Sequence, residues 1–270
     1  MKLTQIHPHR PPVARILALA LALGSTAALA EVKTEAVQYQ DGDQVLNGFI
    51  AYDDAVTDKR PGVLVVHEWW GLNDYAKRRA EMLAELGYVA FAADMYGDNK
   101  VTRHAADAKG WMMQVTENQE AWQKRAMAGL EALKASDKVD PERLAAIGYC
   151  FGGATVMQLA YAGADLDGVA SFHGSLPPAT PEQQKAIKAS VLVAHGDKDP
   201  MVPPERVSAF REALDAAGAD WEMAIYAGAK HGFTNPGAGD YGIDGIAYDP
   251  KADARSWALM RDFLSEVLAP

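Results

Sequence analysis

Polar and apolar residues alternate along the chain between residues 32 and 53, on both sides of the turn signal Asp41-Gly42-Asp43. Alternation with a period of two is typical of a strand that buries one face. Two such strands joined by a tight turn predict an antiparallel hairpin near the start of the folded chain.

From residue 61 onward the pattern changes to short apolar runs without alternation, which is typical of strands buried on both faces. The runs are PGVLVVHEW, GYVAFAAD, LAAIGY, GVASFHG, SVLVAHG and WEMAIYAG. Helical patterns lie between most of them, and a first helix is expected to start at Asn73 or Asp74 and to end before Gly87. Strands that alternate with helices predict an α/β fold with a mostly parallel central sheet flanked by helices.

The first 30 residues have the pattern of an export signal. Three basic residues and no acidic residue accompany the apolar run ILALALALG, and small residues follow at Ala28 and Ala30. The apolar run is shorter than the ~20 residues of a spanning helix, so an uncleaved anchor is the less favoured alternative. We therefore predict a signal peptide over 1–30, a periplasmic location and a single domain over 31–270.

Size and charge restrict the classes of partner. Removal of the leader leaves 240 of 270 residues, enough for one well-cored domain, and changes the formal net charge from −10 to −13. Such a charge argues against nucleic acid or an anionic membrane surface as partner, and we expect a monomer that binds a small molecule. Cys150 is the only cysteine, so it has no partner for an intrachain disulfide.

Cys150 lies between an apolar strand pattern and the helical pattern GGATVMQLAYA, in the form Gly148-x-Cys-x-Gly152. This is the pattern of a nucleophile elbow with sulfur in the usual place of the serine oxygen. The glycines leave room for a strained turn, and the helix that follows favours a thiolate. It also offers the amide of Phe151 to an oxyanion. Without partner residues, a small buried cysteine would explain the pattern equally well.

An acid and a base follow in the expected order along the chain. Asp199 lies in the loop after SVLVAHG, and His231 follows WEMAIYAG. We predict that Asp199 orients His231, which takes the thiol proton and later returns it to a leaving group. Asp197 in the same loop is expected to cap the turn, and the alternative is that both aspartates only stabilise the turn.

The remaining histidines are expected to pack or to form hydrogen bonds. His67 and His195 lie at strand ends where they could border a pocket, whereas His173 and His104 have no evident chemical role. No HExxH or CxxC spacing occurs, so we predict no metal and no cofactor.

Taken in order, HEWWG, GYCFGG, GDKDPMVPP and KHGF resemble the dienelactone hydrolase family of α/β-hydrolases over about residues 45–268. The resemblance implies that Glu68 contacts the resting nucleophile and that the amide of Trp69 is a second oxyanion donor. It also implies hydrolysis of an ester or lactone through a thioester on Cys150. A carboxylate near the thiol would independently keep the sulfur protonated and protect it from oxidants, unless Glu68 is only a surface carboxylate.

The chain departs from the family in the segment after the histidine. Family members that act on anionic dienelactones place an arginine there, but this chain has Thr234 and Asn235. An anionic lactone is therefore not the expected substrate. Six residues could form the walls of an apolar acyl pocket, although a cluster of Trp and Met at helical spacing is more often core: Trp69, Trp70, Tyr96, Trp111, Met112 and Met113. Of these we predict Trp70, Tyr96 and Trp111 as substrate contacts.

The leading interpretation is a periplasmic ester or lactone hydrolase with a Cys-His-Asp triad. A thioester, a small acyl ester or a peptide-like acyl group remain alternative substrates. Two other classes remain open: a redox-responsive thiol protein and a binding protein without turnover on the same fold. The acid and histidine partners favour the hydrolase, because a thiol sensor needs no such pair.

Overall fold

A computed structural model describes residues 32–270, so the predicted signal peptide lies outside the described residues. The strands are β1 (Val32–Asp41), β2 (Gln44–Asp53), β3 (Arg60–Val66), β4 (Val89–Ala93), β5 (Val139–Tyr149), β6 (Gly168–Phe172), β7 (Ser190–Gly196) and β8 (Trp221–Tyr226). The helices are α1 (Asp74–Glu85), α2 (Ala105–Thr116), α3 (Gln119–Lys134), α4 (Phe151–Tyr161), α5 (Pro181–Gln184), α6 (Pro204–Ala217) and α7 (Pro250–Val267). A short 3₁₀ helix covers Ala238–Tyr241.

The strands of the described chain form one sheet in the order β1-β2-β4-β3-β5-β6-β7-β8. Strands β1 and β2 form the antiparallel hairpin, and β2 pairs antiparallel with β4. All pairings from β4 through β3 to β8 are parallel. The predicted fold class is confirmed: an α/β-hydrolase fold with a mostly parallel sheet and an N-terminal hairpin.

Helices cover both faces of the sheet, and the alternation of side chains along β3 shows how. Leu64 and Val66 point to the face packed by α3, α4 and α6. Val63 and Val65 point to the opposite face, where α1 and α7 pack. Since burial of one aliphatic side chain contributes ~1.5–3 kcal/mol, the two cores together hold the sheet rigidly. Within residues 32–270, no helix combines the length and apolar composition needed to cross a bilayer.

The carboxyl ends of the parallel strands meet at one edge of this rigid sheet. Glu68 follows β3, Cys150 follows β5, and Asp199 follows β7. His231 lies in the long connection from β8 to α7. The crossover connections bring these residues, distant in sequence, to the edge where α/β sheets bind their ligands.

Candidate active site

Cys150 lies at a sharp turn between β5 and α4, with φ 56° and ψ −113°. A positive φ at a residue other than glycine is strained by about 1–3 kcal/mol, and the surrounding packing must maintain it. The amide of Cys150 donates to the carbonyl of Phe172 at 3.0 Å. A Cβ atom on Gly148 would overlap the carbonyl oxygen of Gly152, and one on Gly152 would overlap that of Val66. Glycine is therefore required at both positions for the helix to start this close to the sheet.

Asp199 and His231 form a buried pair beside the turn. The Nδ1 atom of His231 lies 2.8 Å from Oδ2 of Asp199, whose Oδ1 accepts the amide of Met201 at 2.9 Å. Both side chains are buried, whereas Asp197 forms an ion pair with Lys198 at the surface. The carboxylate thus orients the imidazole, with Nδ1 as the donor.

The second imidazole nitrogen is free to act. Nε2 of His231 makes no hydrogen bond within the described residues. Burial alone would lower the pKa of His231, but the negative charge of the Cys150 sulfur and the contact with Asp199 outweigh it and raise this pKa to about 10. At neutral pH the imidazole therefore carries a proton, which a leaving group bound in the cavity beside Cys150 could take up.

Two backbone amides next to the sulfur have no partner. Those of Trp69 and Phe151 donate no hydrogen bond within residues 32–270, and both residues border the cavity that contains Cys150. Phe151 is the first residue of α4, so its amide also carries the positive end of the helix dipole. Unpaired amides in this position can stabilise a negatively charged oxygen.

Glu68 is buried and is held by Asn235 rather than by Cys150. Nδ2 of Asn235 donates to Oε2 of Glu68 at 2.6 Å. The expected contact with the thiol is absent from the hydrogen bonds of the described residues. Burial raises the pKa of Glu68 to about 7, although the Asn235 amide and the charges of His231 and Arg79 oppose this shift. In the sequence, Asn235 is distinguished only by its position, where the family places an arginine.

Replacement of Glu68 by glutamine is expected to stabilise the protein at alkaline pH. The folded pKa, about 7, lies above the ordinary value of 4.5, so the carboxyl favours folding below pH 4.5. This contribution is lost as the pH rises through about 7. In urea titrations, the free energy of unfolding of Glu68→Gln should be close to that of the parent at about pH 5. At about pH 8.5 it should be higher by on the order of 2–3 kcal/mol.

Exposed Glu142 provides the matched control for this measurement, since its substitution by glutamine removes a carboxylate that water already solvates. Glu142→Gln should follow the parent at both pH values. If the free energies of unfolding of Glu68→Gln and the parent differed by the same amount at both pH values, the pKa of Glu68 would not be raised in the folded protein.

The cavity beside Cys150 has a volume of about 340 Å³ and a mainly apolar wall. Its lining residues other than Cys150 and His231 are Trp69, Met112, Thr116, Trp122, Phe151, Ala154, Ser175, Met201, Val202 and Ile246. Among residues 32–270, no lysine, arginine, aspartate or glutamate borders it. The cavity therefore suits an uncharged, apolar group.

Of the six residues expected to form the acyl pocket, Trp69 and Met112 border the cavity beside Cys150, whereas the selected contacts Trp70, Tyr96 and Trp111 do not. Trp70 is buried and stacks on Tyr241, with ring centroids 3.8 Å apart. Tyr96 and Trp111 border a separate, polar cavity of about 230 Å³, and the Tyr96 hydroxyl donates to the carbonyl of Trp69. On α2 the residues that border the cavity of Cys150 are Met112 and Thr116, and Trp111 points elsewhere because helix rotation turns successive side chains by about 100°.

The other buried histidines differ in their contacts. Nδ1 of His67 donates to the carbonyl of Glu68 at 2.5 Å, and Nε2 accepts the amide of Met95 at 3.2 Å. His67 therefore fixes the turn that carries Glu68 and Trp69. His195 is buried near Asp199, and burial lowers its pKa. Within residues 32–270, no three His, Cys, Asp or Glu side chains are grouped as metal ligands would be.

The fold and the site at the carboxyl edge of the sheet define an α/β-hydrolase. The model of the dienelactone hydrolase family matches residues 46–268, and the chain belongs to this family. Membership supports a hydrolase of the ester or lactone type that acts on a small molecule.

Three relatives illustrate the similarity. A crystal structure of a dienelactone hydrolase-like promiscuous phosphotriesterase from metagenomic libraries is 42% identical, with a TM-score of 0.86, and the match covers 88% of this chain and 99% of that one. Protein usf of Aquifex pyrophilus is 30% identical, covering 86% and 98% of the two chains. A protein of Aquifex aeolicus strain VF5 with the provisional name carboxymethylenebutenolidase is 28% identical, with the same coverage.

Proposed function

We propose that this protein hydrolyses uncharged carboxylic esters or lactones through a Cys150-His231-Asp199 triad and a thioester intermediate. The observation that carries the proposal is the buried Asp199–His231 pair with a free Nε2 beside the only cysteine of the chain. The leader pattern supports a further proposal, that the mature protein acts in the periplasm after loss of residues 1–30.

In the proposed mechanism, acylation starts from the Cys150 thiolate beside protonated His231. The Cys150 thiolate attacks the carbonyl carbon and forms a C–S bond, while the carbonyl electrons move onto oxygen. The amides of Trp69 and Phe151 donate to this oxygen. When the tetrahedral intermediate collapses, the C–O bond of the ester breaks and the departing alkoxide takes the Nε2 proton of His231. The products of this half are the alcohol, a thioester and a neutral imidazole.

The deacylation half returns the enzyme to its starting state. Neutral His231 removes a proton from water, and the resulting hydroxide attacks the thioester carbonyl. The same two amides stabilise the second tetrahedral intermediate. Cys150 leaves as a thiolate beside protonated His231, and Asp199 stabilises the imidazolium in both halves.

The cavity wall offers no lysine or arginine side chain to a substrate carboxylate, and His231 is already paired with Asp199, which predicts a preference for neutral substrates. Compared with p-nitrophenyl butyrate, mono-p-nitrophenyl succinate has a carboxylate at the end of an acyl chain of similar length. An unpaired carboxylate in an apolar cavity loses hydration without compensation, so kcat/KM should be at least about tenfold higher for the butyrate. Quenched samples should contain the acyl-enzyme by intact mass.

An equal or higher kcat/KM for the succinate would contradict the proposed substrate class. Absence of turnover on both esters, together with rapid mass gain at Cys150 in peroxide, would instead favour the redox-responsive thiol protein. Binding of the esters with neither turnover nor adduct would favour a binding protein without turnover.

A second candidate activity is hydrolysis of neutral phosphotriesters. The relative from metagenomic libraries is described as a promiscuous phosphotriesterase and matches 88% of this chain. The apolar cavity would accept a neutral phosphotriester for the same reason that it favours a neutral ester. Paraoxon added to the same assay would distinguish the two, because attack at phosphorus leaves a phosphoryl rather than an acyl adduct on Cys150.

A further inference from the structure

His173, which the proposed mechanism does not use, is packed against the catalytic histidine. It lies directly after β6, is fully buried and has a φ of 40°. Its ring meets that of His231 edge to face, with centroids 5.3 Å apart, and meets Phe233 in the same way at 5.2 Å. The imidazole of His173 is thus wedged against two residues of the loop that carries His231.

A chain of buried hydrogen bonds ties the same loop to α1 and α7. Nε2 of His173 lies 2.7 Å from Oγ1 of Thr234, which lies 2.6 Å from the hydroxyl of Tyr75. Nε of Arg79 donates to this hydroxyl at 3.3 Å, while Nη2 donates to the carbonyl of Thr234 at 2.6 Å and to Asp253 at 2.5 Å. The loop after β8 is therefore anchored on the side away from Asp199.

The hydroxyl of Thr234 joins two partners, because Oγ1 lies within hydrogen-bond distance of both the Tyr75 hydroxyl and Nε2 of His173. Nδ1 of His173 has no hydrogen-bond partner within the described residues. The contact with Thr234 is therefore the hydrogen bond that fixes the orientation of the His173 ring.

The surrounding charges keep His173 neutral. Burial lowers the pKa of His173 well below its ordinary value, and the positive charges of His231 and Arg79, with a smaller effect of His195, act in the same direction. The carboxylate of Asp253 pairs with Arg79 rather than with His173. His173 can therefore support His231 without competing for its proton.

We propose that His173 is a positioning residue for His231. Through Thr234 and through direct ring contact, it holds the His231 imidazole in line between Asp199 and Cys150. This inference rests on the proposed function. Residues 227–249 contain only the 3₁₀ helix and one isolated bridge as regular structure, so the loop depends on side-chain anchors for its position. A misplacement of about 1 Å in a reacting group costs on the order of a hundredfold in rate.

The test compares His173→Leu with His173→Gln, and adds Thr234→Val. Leucine and glutamine bear the same backbone strain at position 173, but only glutamine offers a hydrogen-bond partner to Thr234. We expect His173→Leu and Thr234→Val to lower kcat on p-nitrophenyl butyrate by about 10- to 100-fold, with KM changed less than about twofold. Glutamine should restore part of the lost kcat.

A hydroxyl at the end of α4 opposite Cys150 serves as the stability control. Tyr161 donates to the carbonyl of Pro177 at 2.7 Å, and Tyr161→Phe removes this one hydrogen bond, whereas Thr234→Val removes the contacts of Oγ1 with Tyr75 and His173. Tyr161→Phe should lower the melting temperature and keep the kcat of the parent. Proton NMR adds a direct readout, because the far-downfield signal of His231 Nδ1–H should weaken in His173→Leu and persist in Tyr161→Phe.

Parent-like kcat and an unchanged downfield signal in His173→Leu would overturn the positioning role. The positioning role would also be overturned if the loss of kcat were proportional to the drop in melting temperature in every variant, including Tyr161→Phe. Failure of the proposed function would give a different result: His231→Ala would retain the ester turnover of the parent. An inactive His231→Ala beside a fully active His173→Leu would overturn the positioning role alone.

Discussion

Cys150→Ala is expected to abolish ester hydrolysis, with a loss in kcat that approaches about a millionfold, as for removal of a nucleophile that acts as part of a triad. Alanine cannot form the thioester, and the cavity and the two free amides then only bind the substrate. Steady-state rates with p-nitrophenyl butyrate measure the loss. Intact mass should show an acyl adduct on the parent and none on the variant.

The chain supplies its own control for this prediction because Cys150 is the only cysteine. Iodoacetamide should add one group to the parent and none to Cys150→Ala, and the alkylated parent should be as inactive as the variant. Parent-level turnover by a well-folded Cys150→Ala protein would remove Cys150 from the mechanism.

Asp199→Asn should lower kcat by about 10³–10⁴-fold and leave KM nearly unchanged. The asparagine amide keeps the size of the side chain, but it cannot stabilise the imidazolium that forms in both halves of the reaction. Asp197→Asn is the matched control, because Asp197 lies two residues away and pairs only with Lys198 at the surface. Equal activity of the two variants would show that the contact with His231 does not contribute to turnover.

The same variant should change how stability depends on pH. Despite the opposing effect of burial, His231 has a pKa raised to about 10 by Cys150 and Asp199. A raised pKa stabilises the fold fully below the ordinary value of 6.5, and this contribution is lost as the pH rises through about 10. In urea titrations, the free energy of unfolding should therefore fall less steeply between about pH 7 and pH 10 for Asp199→Asn than for the parent.

Much of the elbow could be predicted because its determinants are local. Gly148, Cys150 and Gly152 lie within five consecutive residues, and the strand and helix that flank them have continuous patterns of their own. The order of acid and histidine along the chain similarly follows from the order of the strands. These features depend on short stretches of backbone, for which local sequence is the main constraint.

The cavity wall could not be predicted in the same way. Trp111 and Met112 are neighbours in sequence, yet only Met112 borders the space beside Cys150. Which of two adjacent residues faces a cavity depends on the rotation of α2 about its axis and on its packing against α3. A weak helical pattern leaves that rotation undetermined, so the sequence could not separate Met112, which borders the cavity, from Trp111, which does not.

The sequence by itself determined the family, the fold class and the identity of the thiol, because these depend on local patterns and on motifs in a set order. The tertiary structure alone decided the partners of the buried polar groups. Glu68 meets Asn235 across 167 residues, and His173 meets Thr234 across 61. A buried polar group takes whichever partner the packed chain brings within about 3 Å, and that proximity arises only when the sheet and its helices assemble.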